Sequence, residues 1–263
     1  MELEGKVAIV TGATRGIGRA TAPLFAKVGA AVVLAGRNEQ QGREVVAEIE
    51  DAGGRAMFVV TDVADSGQVA SLVNSASGTY GGVDVLVNNA GIEFGKPLLE
   101  TSELEWDRLM AVNLKGHFVC AVAVVPEMVK RGRGAIVNTA SVLAIRVMRG
   151  TGAYMASKAA ILGLTRAMAL EWTPLGIRTN CVLPGSTDTD MMWNGIAPDQ
   201  IASRRRAEDE TLPIGRVAEP SEIAQASLWP ASDRASFASG TLLLVDGGAL
   251  SEHPAPRWKP TSA

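Results

Sequence analysis

Short apolar runs rich in valine, isoleucine and alanine recur along the chain, separated by longer segments whose apolar positions fall three or four apart. The runs are continuous rather than alternating, which is the pattern of strands covered on both faces. They predict strands at Lys6–Thr11, Ala31–Ala35, Ala56–Val60, Val83–Asn88, Ala135–Ala140, Arg178–Val182 and Leu242–Val245. The segments between them predict helices at Ile17–Val28, Gln40–Asp51, Ser66–Tyr80, Glu103–Lys130, Ala153–Trp172 and Ser221–Leu228. Strand–helix alternation of this kind predicts an α/β fold with a parallel sheet and helices on both faces. No repeat, low-complexity tract or linker divides residues 1–250, so one domain is expected. One segment breaks the rhythm. Residues 186–216 contain two prolines and only weak helical period, and an excursion of this length is expected to be a functional lid or loop. The final stretch, 251–263, has three prolines and no period, and is expected to lie as a tail on the surface or on a neighbouring subunit.

With 263 residues, 47% of them hydrophobic, the chain can bury a sizeable core. Its net charge of −3 gives no reason to expect a nucleic-acid partner. The basic run Arg204–Arg206 is followed by Glu208, Asp209 and Glu210 and reads as a solvated helix face. No uninterrupted apolar stretch long enough for a bilayer and no secretory signal is evident, so no membrane association is expected. Two cysteines, Cys120 and Cys181, both in apolar surroundings, read as free thiols in a reducing cytoplasm. With His117 and His253 as the two histidines, a His/Cys metal site is not expected.

The stretch "VAIVTGATRGIGRA" reads as a strand, a turn carrying Gly12, Gly16 and Gly18, and a helix start. Glycines let the backbone turn tightly and approach a pyrophosphate, while the helix N-terminus supplies amide donors. The spacing is G-x-x-x-G-x-G, not the G-x-G-x-x-G of other dinucleotide folds. The next strand ends in Gly36 and Arg37, with no acidic residue there to accept bonds from a ribose 2′-hydroxyl. Arg37 with Arg15 would neutralise a 2′-phosphate, which favours NADP(H) over NAD(H); the other reading is that both arginines are simply solvated.

"GAYMASKAA" places Tyr154 four residues before Lys158, one turn apart on one helix face. On spacing alone two readings stand. The pair could be an inert surface neighbour pair. Alternatively, the lysine lowers the phenol's pKa and makes Tyr154 a proton donor or acceptor near neutral pH.

Taken in order, "TGATRGIG" (11–18), "TDV" (61–63), "NNAG" (88–91), Asn113 in "MAVNLKG", Ser141 in "IVNTAS", "YMASK" (154–158) and "PGSTDTDM" (184–191) resemble the short-chain dehydrogenase/reductase family, from about Gly5 to Gly248. The resemblance implies a Rossmann-type, doubly wound, seven-stranded parallel sheet. It implies that Tyr154 is the general acid/base, that Lys158 lowers its pKa and bonds the nicotinamide ribose, that Ser141 holds the substrate oxygen, and that Asn113 anchors a water of the proton relay. For the cofactor it implies Gly12, Arg15, Gly16, Ile17 and Gly18 around the pyrophosphate and adenosine, Asp62 and Val63 beside the adenine, and Asn89 and Gly91 along the ribose. Pro184, Gly185, Thr187 and Thr189 would meet the carboxamide. A homotetramer is expected, partly because Ala153, Ala156, Ala159, Ala160 and Gly163 keep one helix small enough for another backbone to approach. Pro23 and Pro230 depart from good helix sequence and put local helix geometry in question.

Pocket candidates are Glu93, Phe94, Val142, Leu143, Met148, Ser186, Met191, Met192 and Trp193, mostly apolar, which suits a ketone or secondary alcohol as the small-molecule substrate. Arg146 and Arg149 leave room for a carboxylate or a thioester carrier. Two further readings are an NAD-dependent polyol or sugar dehydrogenase of the same family and a non-catalytic nucleotide-binding sensor.

Overall fold

The computed structural model describes residues 1–251; the expected tail beyond Ser251, with His253, lies outside them. Seven strands form one parallel sheet in the order β3-β2-β1-β4-β5-β6-β7. They are β1 (Val7–Thr11), β2 (Ala31–Gly36), β3 (Arg55–Val60), β4 (Val85–Asn88), β5 (Gly134–Thr139), β6 (Ile177–Pro184) and β7 (Leu242–Val245). Every predicted strand is present, within two residues at each end. The helices are α1 (Gly16–Lys27), α2 (Glu39–Asp51), α3 (Ser66–Tyr80), α4 (Glu103–Met110), α5 (Gly116–Lys130), α6 (Gly152–Trp172), α7 (Pro198–Thr211) and α8 (Pro220–Ala231).

Alternate residues of each strand feed two separate cores, which is why the runs read as continuously apolar. On one face Ala8, Val10, Val32, Leu34, Val85 and Val137 pack against Phe25 of α1, Val45 and Ile49 of α2, and Ile223 and Leu228 of α8. On the other face Val7, Ile9, Val33, Leu86 and Ile136 pack against Leu72 and Val73 of α3, Cys120, Val124 and Met128 of α5, and Met168 of α6. The chain runs outward from β1 to β3 and then crosses back to β4, beside β1. That reversal opens a crevice at the carboxyl ends of β1 and β4, where ligands bind in open α/β sheets.

The helix predicted over Glu103–Lys130 is continuous in path, but Ala111–Lys115 form a π turn between α4 and α5. The extra residue is absorbed without a break in the apolar pattern. This 28-residue stretch has a mean hydropathy of 1.6 over its best window, enough by length and composition to cross a bilayer, yet one side of it covers the sheet. Residues 198–211, expected as part of an irregular excursion, form α7. The helix has no buried residue, so its sequence carries no apolar stripe to announce it. Pro23 and Pro230 sit inside α1 and α8 without ending either helix. Carbonyls left open at the C-terminal end of α8 are used: Arg178 donates to Pro230 O at 3.0 Å and Ser232 O at 2.9 Å.

Candidate active site

The glycine turn forms one wall of the crevice. Gly12 and Gly16 have φ of +65° and +53°, a region that favours glycine. A Cβ on Gly18 would stand 2.3 Å from the Gly12 carbonyl oxygen, and one on Gly12 would stand 2.9 Å from Ala90 Cα. The turn is therefore pressed against the end of β4. Hydrogen bonds stitch it there: Thr11 Oγ1 accepts from the amides of Asn89 (2.9 Å) and Ala90 (3.0 Å), and Asn89 Nδ2 donates to Thr11 O at 3.0 Å. Helix α1 starts without a side-chain cap on Arg15 and without an acid in its first turn. Its first amides, including that of Ile17, have no side-chain acceptor at the cap, which fits a pyrophosphate.

The other expected cofactor residues ring the same crevice with differing freedom. Arg15 and Arg37 are exposed and form no ion pair among the described residues. Asn38, after Arg37, caps α2 by accepting from Gln41 N at 3.0 Å. Burial raises the pKa of Asp62, but bonds from Arg108 (2.7 Å) and the Ala64 amide (3.0 Å) outweigh it and hold the carboxyl below its ordinary value. Val63 is buried, its side chain against Gly116, where a Cβ would come within 2.7 Å of it; its main chain is what remains to flank a ring. A Cβ on Gly91 would approach Asn113 Oδ1 at 3.5 Å and Lys158 Nζ at 3.6 Å, so this glycine leaves the catalytic groups uncovered. Pro184 ends β6, and Gly185 follows it tightly against Asp246. Thr187 turns its hydroxyl back to Gly185 O at 3.0 Å. Thr189 reaches the glycine turn, with Cγ2 3.0 Å from a Cβ placed on Gly16.

Tyr154, Lys158, Ser141 and Asn113 are brought together and buried. Ser141 opens a short turn after β5, and its Oγ accepts from Leu143 N at 3.1 Å. That bond fixes the oxygen and leaves the hydroxyl proton to be donated elsewhere. Lys158 Nζ donates to Thr139 O at 2.8 Å and lies 5.6 Å from the centre of the Tyr154 ring. Asn113, in the π turn, accepts from Ile92 N at 2.8 Å and donates to Ile92 O at 2.9 Å and to Ser157 Oγ at 3.1 Å. Ser157 in turn donates to Tyr154 O at 2.7 Å. Both Asn113 amide protons are committed, so a water held by its side chain would have to use the second lone pair of Oδ1. Beneath these groups a buried polar seam crosses the sheet: Asn88 Nδ2 donates to Asn138 Oδ1 (3.0 Å), and Asn138 Nδ2 to Thr165 Oγ1 (2.9 Å).

The expectation that Lys158 lowers the Tyr154 pKa is not met by the protein groups alone. Burial pushes the phenol above its ordinary value, the Glu93 charge pushes the same way, and the Ser141 hydroxyl opposes them. The same burial lowers Lys158 to about 8. Spacing shows that the two side chains share a face, but not that the face is dry and that desolvation dominates there.

The expected substrate residues divide. Leu143 and Phe94 pack against Tyr154. Val142 is buried, and Met148, Arg146 and Arg149 are exposed. Met191 and Met192 follow β6 in the segment that starts at Ser186, Met191 exposed and Met192 partly covered. Ser186 Oγ donates to Glu208 Oε1 of α7 at 2.5 Å, which ties the start of this segment to α7. Trp193 is likewise held, donating from Nε1 to Asp188 Oδ1 at 2.6 Å. Arg205, read as part of a solvated run, bonds Asp188 and Glu219 instead. Ser157, Thr139 and Thr11 were not foreseen. Ser157 lies three residues after Tyr154, and only the approach of Asn113 in the π turn gives it a role.

A family profile described as enoyl-(acyl carrier protein) reductase matches residues 12–249. A 2,5-dichloro-2,5-cyclohexadiene-1,4-diol dehydrogenase of Sphingobium indicum is 37% identical over 246 residues, covering 94% of this chain and 96% of that protein. A cyclopentanol dehydrogenase of Comamonas testosteroni is 40% identical over 243 residues, covering 92% and 96%. A solved structure described as a candidate NAD(P)-dependent gluconate 5-dehydrogenase from Beutenbergia cavernae, with NADP bound at low occupancy, superposes with a TM-score of 0.88 at 40% identity, covering 95% of this chain and 99% of that one. With the glycine turn, the seven-stranded sheet and these relatives in agreement, the chain belongs to the short-chain dehydrogenase/reductase family, oxidoreductases that bind a nicotinamide cofactor and act on alcohols and ketones.

Proposed function

We propose that the protein interconverts a secondary alcohol and a ketone with NADP(H), using Tyr154 as general acid/base. The observation that carries this reading is the convergence of the Tyr154, Ser141 and Lys158 side chains, buried, on the crevice beside the glycine turn. Ser141, its oxygen held by Leu143 N, donates to the substrate oxygen. Tyr154 gives its proton to that oxygen in reduction and takes it in oxidation. Lys158, fixed by Thr139 O, keeps two donors for the ribose and sets a positive charge beside the phenol. Asn113 holds the Ile92 backbone and, through Ser157, the start of α6, so that the reacting groups keep one geometry. The nicotinamide, when bound, carries the hydride, and its oxidised ring adds positive charge that favours the phenolate. Residues 186–216 act as the lid over the substrate. Tyr154→Phe is expected to lower turnover by at least about two decades while cofactor still binds; near-parental turnover would remove Tyr154 from the role.

The preference for NADP(H) rests on Arg15 and Arg37, exposed and without ion-pair partners among the described residues, at the end of a strand with no acid. Arg37→Asp is expected to shift the NADP:NAD ratio of kcat/KM by about one to two decades toward NAD. An acid at Gly36 is the poorer design, because its Cβ would stand 2.8 Å from Thr14 Cγ2. An unchanged ratio would mean that these arginines do not read the phosphate.

A homotetramer is supported by two apolar surfaces. Leu104 and Trp106 of α4 and Phe118, Val122 and Val129 of α5 are exposed, beside the small exposed positions Ala159 and Gly163 of α6. Trp229, Phe237 and Leu244 are exposed near β7, the strand at one edge of the sheet. Two self-complementary patches on one chain build a tetramer with twofold axes. Light scattering at micromolar concentration checks it, and a monomer there would end the proposal. The two free, buried cysteines support a cytoplasmic location; a disulfide found by mass spectrometry in protein from cells would argue against it.

A further inference from the structure

The crevice also holds a carboxyl that the proton chemistry does not use. Glu93 follows Ile92, whose amide and carbonyl are both pinned by Asn113. It precedes Phe94, which packs against the cluster that contains Tyr154. Its backbone is thus fixed on both sides by contacts to the catalytic set. The side chain is half-buried and has neither a hydrogen-bond nor an ion-pair partner among the described residues. It is close enough that its charge acts on both Tyr154 and Lys158. A half-buried carboxylate left without hydrogen-bond donors is unfavourable unless a ligand supplies one.

We propose that Glu93 sets substrate class, accepting a hydrogen bond from a second hydroxyl close to the reacting carbinol and disfavouring a carboxylate in that place. The inference rests on the reading of Tyr154, Ser141 and Lys158 as the reaction centre and makes the protein a dehydrogenase of diols. It separates the chain from a relative named for the anionic gluconate and aligns it with one named for a ring diol. A hydroxyl donates to a carboxylate in a charge-assisted bond, whereas two carboxylates in one site repel.

The test compares the parent with Glu93→Gln and Glu93→Met on cyclohexanol, 1,2-cyclohexanediol and 2-hydroxycyclohexanecarboxylate, with kcat/KM measured at saturating cofactor. Any effect of the Glu93 charge on Tyr154 is common to all three substrates and cancels in their ratios. The parent is expected to prefer the diol. In Glu93→Met the diol-to-cyclohexanol ratio is expected to fall at least about tenfold, the loss of one charge-assisted bond; in Glu93→Gln, whose amide oxygen still accepts but carries no charge, it is expected to fall about three- to tenfold; in both the carboxylate-to-cyclohexanol ratio is expected to rise. A parent without diol preference, or ratios that stay within about twofold of the parental ones against that expectation, would overturn the assignment of Glu93 and leave the Tyr154 chemistry standing. A parent that oxidises none of the three, while binding cofactor, would overturn both.

Discussion

Two structures line the same crevice and are built of different materials. The ledge formed by the ends of β4 and β5 with the start of α6 is buried and joined by short hydrogen bonds, largely between neutral groups: Asn113 to Ile92 and Ser157, Ser141 to Leu143, Lys158 to Thr139. Segment 186–216 is exposed over most of its length and joined by charged groups: Asp188 to Trp193 and Arg205, Arg205 to Glu219, Ser186 to Glu208, and the Val217 amide to Asp209. Low dielectric makes the first set strong and costly to break. Water and salt screen the second, so each of its ion pairs contributes about 0–1 kcal/mol. Under the proposed function, a reaction centre needs fixed geometry and a lid needs to open, and the two kinds of bonding match these needs.

The sharpest way to test the ledge is to remove its charge. Lys158 is 3% exposed, and burial lowers its pKa from 10.5 to about 8. Between those values the unfolded chain binds more protons than the folded one, so this group makes stability rise with pH from about 8 to 10.5. Below about 8 the folded protein carries a buried ammonium that is costly to keep. Lys158→Met is expected to cut turnover by two or more decades. It is also expected to raise the stability of cofactor-free protein at pH 7 by about 1–3 kcal/mol, since an apolar side chain of similar length replaces a buried charge, and to abolish the rise above pH 8. Denaturant melts at pH 7, 8 and 9.5 measure both. A variant less stable than the parent at pH 7 would mean that Lys158 holds the ledge together by more than its bond to Thr139.

The two regions also differ in how much of them the chain makes legible. Strand positions could be read because a strand buried on both faces must be continuously apolar, as Val32–Ala35 and Val85–Val87 are. Asn113, Ser141, Tyr154 and Lys158, marked by the resemblance, do come together buried in the fold. Their energetics could not be read from the chain. Ser157 and Thr139 look like filler until the fold brings Asn113 and Lys158 onto them, and the direction of the Tyr154 shift depends on burial that no local pattern encodes. The π turn at Ala111–Lys115 was hidden because one added residue barely disturbs a helical period. Helix α7 was hidden for the opposite reason: with no buried residue it has no apolar stripe at all, and its fixed points are the charges of Arg205, Glu208 and Asp209.

The smaller effect belongs to the charged segment 186–216, the proposed lid. Asp188 links two parts of it, accepting from the Trp193 indole at 2.6 Å and from the Arg205 guanidinium. Arg205 continues the chain to Glu219 at 3.2 Å, just before α8. Asp188→Asn keeps an oxygen for Trp193 and removes the charge that Arg205 needs. Because the pair is partly exposed, global stability is expected to change by less than about 1 kcal/mol. The cover should open more readily, so kcat and KM are expected to rise or fall together, by about three- to tenfold. Raising salt from about 0.05 M to 0.5 M should move the parent the same way, because the Debye length falls from roughly 14 Å to 4 Å, and should move Asp188→Asn less. The measurement must be made at saturating cofactor, so that screening of Arg15 and Arg37 does not enter. Lys158 and Tyr154, buried beneath, should keep their titration across the same salt range. If salt shifts the pH profile of turnover in the parent and the variant alike, the ledge is not shielded as its burial implies, and the contrast between the two regions fails.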